Sequence, residues 1–376
     1  MKIACIATSQ VPSSTANSIQ VMKAVDALQQ AGHEVRLWVP GEGRTDTSDL
    51  ANFYGLKTSF AVQRLPSRKA LRRYDFGWAA LRAARKWRAD LVYTWFSPDA
   101  VLALWSGMPA ILELHDVPTG KAGPRWFRLF CKAGGLKRLL VITDALQKAL
   151  ETTYTVTFAA DEVQVAPNGV DWQDYEAIPE AGAARRKLDL PQQPTAVYTG
   201  HFYAGRGMDL LFGLAQRLPQ MHFLWVGGRP RDVIQWEMKL DAAGVENVTL
   251  TGFVDKGDLP LYQAAADFLL MPYEKAIAGS SGGNSAAICS PMKMFDYLAA
   301  GRVIVTSDLP VLHEVLTEEN AVFCPAEDVD AWRDALEGLL ADPGRCKGMA
   351  RQARLDGQRF SWLARAQQAL DGFETN

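Results

Sequence analysis

Short runs rich in β-branched and aromatic residues alternate with longer stretches of helical period from one end of the chain to the other. That alternation is the signature of βα units built around parallel sheets. The first set of strand-like runs lies at 2–7, 35–39, 91–94, 110–114, 139–142 and 163–166. Between Asp171 and Gln193 the periodicity lapses through Pro179, Gly182 and Pro191, as expected of a linker. It resumes at Thr195, with further runs at 196–199, 223–226, 248–251, 268–271, 303–306 and 322–324. A chain of 376 residues exceeds what one hydrophobic core usually supports. The expected organisation is therefore α/β: a Rossmann-like domain over 1–172, a linker over 173–194 and a second doubly wound domain over 195–359. A last helical stretch at 360–376 follows the second sheet and is expected to pack back on the first domain.

The helix beginning near Ser290-Pro291-Met292-Lys293 says most about chemistry. It follows the glycine-rich loop 279–284, with Ser290 expected to cap the free amides and Pro291 to take the first helical position. The first turn of a helix already carries about half a positive charge and normally attracts Asp or Glu, so Lys293 there calls for an anionic partner. Phosphate suits free amides plus an ammonium group. At about 100° per residue, Met292, Met294, Phe295, Leu298 and Ala299 share one arc, and Ser290, Lys293, Asp296 and Ala300 share the other. The simpler alternative is a surface lysine paired with Asp296 at i+3.

In open parallel sheets, ligands bind beyond the carboxyl ends of the strands. The loop after the first strand, Thr8 to Asn17, is small and polar, and Asn17 or Ser18 is expected to cap the first helix, which stops at Gly32. Another strand ends Glu113-Leu114-His115-Asp116, an imidazole beside two carboxylates. The second domain opens with Tyr198-Thr199-Gly200-His201-Phe202-Tyr203-Ala204-Gly205-Arg206-Gly207, with glycines for close backbone approach and Arg206 for a phosphate. It is not a P-loop, and no strand is followed by G-x-G-x-x-G, so ATP hydrolysis and hydride transfer lose support. Asp328-Val329-Asp330 reads as a helix cap and not as a metal site, and the five histidines show no H-x-x-x-H spacing.

Net charge is −2, which argues neither for nor against nucleic acid; none is assigned as a partner. The five cysteines form no C-x-x-C pair and are expected to be reduced. There is no run of about 20 apolar residues and no signal-peptide pattern, so a cytosolic protein is expected.

Taken in order, these segments resemble the retaining glycosyltransferases of family 4, which have the GT-B fold of two Rossmann-like domains facing a cleft. The likeness covers nearly the whole chain. It rests on Gly32-His33-Glu34-Val35, His115, Pro167-Asn168-Gly169-Val170-Asp171, the 200–207 segment, Gly252-Phe253-Val254, 267–272, the 290–301 helix and Ser307-Asp308-Leu309-Pro310. The resemblance implies sugar transfer from a UDP- or GDP-sugar to a hydroxyl of a glycan or lipid-linked acceptor, with no metal and no resident cofactor. It implies that Arg206 and Lys293 hold the diphosphate, helped by amides near Gly200, His201 and Ser290, and that Asp296 takes the place of a ribose-binding glutamate. Base contacts fall to main chain near Gly227, Phe253 and Val254, with His115 lining the donor sugar and Ser13, Ser14 and Asn17 on the acceptor side. One departure stands out. The family often carries two glutamates separated by seven residues, and eight positions before Asp296 stands Ile288, leaving amides around Gly283 to contact the sugar. A noncatalytic nucleotide-sugar-binding subunit and a sugar-nucleotide epimerase are the alternative readings.

From Arg64 to Arg88 the chain holds nine Lys or Arg against Asp75 alone, interleaved with Tyr74, Phe76, Trp78 and Trp87, and more follow around Trp126, Phe127 and Phe130. Such a segment suits either a solvated helix face or an anionic bilayer, the latter placing the protein at the inner face of the membrane.

Overall fold

A computed structural model describes residues 1–43, 47–277 and 285–373. The chain divides into two compact units, one made of Met1–Asn168 with Trp362–Asn376 and the other of Gly169–Ser361.

The first unit is built on seven parallel strands: β1 (Lys2–Ile6), β2 (Glu34–Pro40), β3 (Ala61–Leu65), β4 (Leu91–Thr94), β5 (Ala110–Leu114), β6 (Lys137–Val141) and β7 (Val163–Val165). Their order is β3-β2-β1-β4-β5-β6-β7. β1, β4 and β5 are almost wholly buried, which is why they read as continuous apolar runs. β3 has no counterpart in the sequence reading: it is an edge strand whose Gln63 and Arg64 interrupt any apolar run, and none of its residues is fully buried. The helix Ala16–Gln30 begins one residue after Thr15, whose hydroxyl accepts from the Ser18 amide at 3.4 Å. Thr15 is therefore the cap, and Asn17 and Ser18 lie inside the first turn. The last helix, Trp362–Leu370, belongs to this unit as expected, burying Trp362, Ala366, Ala369 and Leu370.

The second unit holds six parallel strands: β8 (Thr195–Gly200), β9 (His222–Gly227), β10 (Val248–Gly252), β11 (Phe268–Met271), β12 (Val303–Ser307) and β13 (Ala321–Cys324), ordered β10-β9-β8-β11-β12-β13. Tyr198, Phe223, Trp225 and Trp332 anchor its core. The stretch 173–194 is no free linker. It carries the helix Ala181–Lys187, Tyr175 donates to Gln263 Oε1 at 2.8 Å, and Arg185 pairs with Asp267 at 2.7 Å. Proline, glycine and polar residues had hidden that packing, because a single turn of 3-10 helix and a two-turn helix leave too few apolar positions to show a period. Asp328 caps its helix as expected, accepting from the Ala331 amide at 3.0 Å.

Both sheets reverse strand order next to their first strand, between β1 and β4 and between β8 and β11. A parallel sheet opens a crevice beyond its carboxyl edge at such a reversal.

Candidate functional site

In the second unit the reversal brings the loop after β8 beside the residues that follow β11. Tyr198 and Tyr273 are buried there, 1% and 2% exposed. The helix that carries Lys293 runs Met292–Ala300, and its cap position is occupied by Pro291 with extended backbone. Ser290 therefore lies outside the helix and Pro291 just ahead of it, not at its first position. A pyrrolidine ring with its own fixed φ supplies the entry bend without a side-chain cap.

From the first turn, Lys293 Nζ reaches 3.9 Å from the centre of the Tyr198 ring and 5.6 Å from that of Tyr273. A β-carbon on Gly200 would stand 2.8 Å from that nitrogen, so the bare backbone is what admits the ammonium. Arg206 lies 5.0 Å from the Tyr203 ring and 5.1 Å from the Tyr273 ring, and donates to the Tyr203 hydroxyl at 2.7 Å. The two cations thus share Tyr273. Burial, followed by repulsion from Arg206, pushes the Lys293 pKa well below the ordinary lysine value. Burial opposes the Arg206 charge too, yet Tyr273 and Tyr203 hold its pKa above the usual one. His201 stacks on Tyr203 at 5.4 Å, and burial, then Arg206, Lys293 and Arg229, lower its pKa. Among the described residues no carboxylate lies within ion-pair distance of Lys293 or Arg206. Two cations backed by aromatic faces beside a helix start form a site that favours negative charge.

Gly227 has a reason internal to the fold. Its φ is +118°, a β-carbon there would lie 2.2 Å from the Gly200 carbonyl oxygen, and the next amide, Gly228, donates to that oxygen at 3.1 Å. Any larger residue would separate the two loops that frame the cations.

One helical turn beyond Lys293, Asp296 is 5% exposed and pairs with Lys256, whose ammonium sits 3.1 Å and 3.4 Å from its two oxygens. The i+3 pairing of Lys293 with Asp296 does not form, and Ser290, Asp296 and Ala300 are all buried, so of the polar stripe only Lys293 is part-exposed. Lys256 follows Phe253 and Val254 on the loop after β10, where Phe253 is 63% exposed and Val254 half-buried. Ser290 is buried, and Gly283, with the rest of the 279–284 loop, lies outside the described residues.

In the first unit, His115 Nε2 is 2.8 Å from Glu113 Oε1. Glu113 is wholly enclosed and also accepts from Arg365 at 2.6 Å and from Gln20 and Tyr93. Burial works against its charge, but Arg365 and His115 outweigh it and hold the pKa at about 2. Of the residues expected on the acceptor side, Ser13 lies against Tyr54, whose hydroxyl accepts from the Ser13 amide at 2.7 Å and bonds Ser18 Oγ at 2.6 Å. Asn17 accepts from Ser9, and Ser14 is exposed. Arg64 and Arg73 fasten the same loop by donating to the carbonyls of Val11 and Thr8.

Sequence reasoning missed Lys256, Tyr198, Tyr273, Arg229 and Arg365. A carboxylate in the middle of the apolar run Ala110 to Leu114 was the one available signal, since buried Glu113 demands a cation from somewhere. Among the described residues no cluster of three or more His, Cys, Asp or Glu could hold a metal, and no helix is long and apolar enough to cross a membrane.

Comparison with known proteins meets this geometry from outside. Residues 18–174 match the family model Glycosyltransferase Family 4, and residues 193–342 match Glycosyl transferases group 1. The chain is similar to the phosphatidyl-myo-inositol mannosyltransferase of Mycolicibacterium smegmatis, with 26% identity over 94% of this chain and 89% of that one. It is also similar to the D-inositol 3-phosphate glycosyltransferase of Xylanimonas cellulosilytica, 26% identical over 78% of this chain and 68% of the relative. Its fold is shared by Anabaena HepE, solved in complex with UDP, with a TM-score of 0.75 and 17% identity across 99% of each chain.

Proposed function

Since the chain belongs to glycosyltransferase family 4, we propose that it moves a sugar from a UDP- or GDP-sugar to a hydroxyl of a glycan or lipid-linked acceptor, retaining the anomeric configuration. The observation that carries this reading is the pair Lys293, at a helix start, and Arg206, both against Tyr273, with no carboxylate within ion-pair distance of either among the described residues. A departing nucleoside diphosphate gains negative charge as the glycosidic bond breaks, and cations already fixed in a partly dry site stabilise that charge without reorganising. The proton of the acceptor hydroxyl goes to a donor phosphate oxygen, so this chain needs no general base of its own. Neither a resident cofactor nor a metal ion is part of the proposal. His115, whose ring is held by Glu113, keeps the role of contacting the donor sugar. Relatives named for inositol phosphate and phosphatidyl-myo-inositol support an acceptor of glycan or lipid type.

Incubation with UDP-, GDP- and ADP-sugars tests the proposal. Slow release of nucleoside diphosphate from one of them is expected, unchanged by a chelator and lowered at least about 100-fold in Lys293→Met. Formation of a new sugar nucleotide in its place would identify an epimerase, and inversion at the anomeric carbon of the product would refute retention.

A bilayer role has its own support in the first unit. Trp78 and Trp105 are each 60% exposed, the Trp105 and Trp126 rings are 6.3 Å apart, and Trp126 donates to Tyr74 at 2.9 Å. Exposed Arg125 and Arg128 flank Trp126, and Arg82 sits 5.7 Å from the Trp78 ring. Interfacial aromatics with adjacent cations fit an anionic headgroup layer on the cytosolic side, each basic residue adding about 1 kcal/mol. Flotation with anionic liposomes is expected and should be halved or worse in Trp78→Ser/Trp105→Ser. Equal flotation with neutral lipid would remove the idea.

A further inference from the structure

The helix Met292–Ala300 places Lys293 and Asp296 three residues apart, hence on one face with their β-carbons about 5–6 Å from each other. That is close to the spacing between a nucleotide's phosphate and its ribose hydroxyls, so a diphosphate gripped at Lys293 delivers its ribose toward Asp296. Asp296 is poorly placed to receive it. Its side chain is 8% exposed, and the ammonium of Lys256, 24% exposed, spans both of its oxygens. Of the pair, the lysine is the more exposed. Burial opposes the Lys256 charge, but Asp296, Asp171 and Asp174 outweigh it and raise the pKa.

We propose that Lys256, anchored on Asp296, is the residue that contacts the ribose of the nucleotide donor, its ammonium donating to a ribose hydroxyl while Asp296 acts as the positioning residue beneath it. This rests on the proposed donor site. It assigns to the loop after β10 a specificity role in distinguishing ribo- from deoxyribonucleotides, which a ring of main-chain contacts around Phe253 does not provide.

The test is calorimetric titration of the full chain with UDP and GDP, continued with the 2′-deoxy and 3′-deoxy forms of whichever binds more tightly. The wild-type protein is expected to prefer the ribonucleotide about tenfold, the value of one hydrogen bond from a charged donor. Lys256→Met brings that ratio close to one, and Lys256→Arg restores part of it. Lys256→Gln takes the place of the methionine variant should three nearby carboxylates prevent the latter from folding. Lys293→Met weakens all the nucleotides alike and leaves the ratio unchanged. Retention of the wild-type ratio in Lys256→Met or Lys256→Gln overturns the inference. A ratio lost only in Asp296→Asn would show the carboxylate reading the ribose directly, so that this inference fails while the donor site stands. Absence of any nucleoside diphosphate binding by the wild-type protein defeats the proposed function, and the inference with it.

Discussion

Lys293 is held among Tyr198, Tyr273 and Arg206 with its pKa well below the ordinary lysine value, first through burial and then through Arg206. A diphosphate entering the site favours the protonated form and raises that pKa. Nucleotide binding should therefore take up protons, and affinity should fall as pH rises through the lowered pKa of the free site. Titration at pH 9 in buffers of different ionisation enthalpy measures the uptake, which should vanish in Lys293→Met; buffer-independent heats in the wild-type protein would contradict it. A second titratable residue belongs to the first unit. Asp99 is 1% exposed, neither carboxyl oxygen has a hydrogen-bond partner among the described residues, and burial raises its pKa to about 8. Its unfolded value is near 3.9. Its contribution to stability is full below about pH 4 and declines as pH rises toward 8, by up to about 1.4 kcal/mol per pH unit. Asp99→Asn should flatten that decline, so that urea unfolding shows the variant a few kcal/mol more stable at pH 8 and little changed at pH 4. Gly77 is fixed by the same carboxyl: a β-carbon there would fall 2.0 Å from Asp99 Oδ1.

Elements were legible where burial on both faces made them apolar throughout. β1, β5, β8 and β11 are nearly or wholly buried, and each coincides with a run visible in the sequence. β3 escaped because an edge strand needs no apolar run. Helix starts were less legible, since Thr15 and Pro291 are adjacent to residues equally suited to capping and only the backbone angles separate them. The Trp362–Leu370 helix could be expected to return to the first domain, but nothing local announced that Arg365 would meet Glu113, 252 residues earlier. That pairing ties the helix to β5 alongside its buried Trp362, Ala366, Ala369 and Leu370. Arg365 also donates to the carbonyls of Ala166 at 3.1 Å and Pro167 at 2.7 Å, so it fastens β5 and the end of β7 to the last helix. Arg365→Met strands a buried carboxylate and should cost about 3–5 kcal/mol, much of it recovered in Arg365→Met/Glu113→Gln, as read by denaturant midpoints. The Glu113 pKa is depressed, so its share of stability is present above about pH 4.5 and is lost as pH falls toward 2.

At the scale of the molecule, the residues of the proposed donor site come from a strand end, the loop after it and a helix start far along the chain, and Gly200, His201, Arg206 and Lys293 meet at one sheet reversal. Lys256 stayed hidden because a lysine in a polar loop looks like any other until its carboxylate is seen. The first unit is discontinuous, made of Met1–Asn168 and Trp362–Asn376 with the whole second unit encoded between them. Truncation after Ser361 should therefore raise amide hydrogen exchange in β5, β6 and β7 while β8 to β13 keep their protection; uniform loss across both sheets would refute this. The order of synthesis then runs against the order of completion. The strands of the first unit must wait, with Glu113 still lacking its arginine, until Arg365 has been translated. A nascent chain stalled anywhere before Trp362 presents an unfinished N-terminal half, and it is there that chaperones should be found.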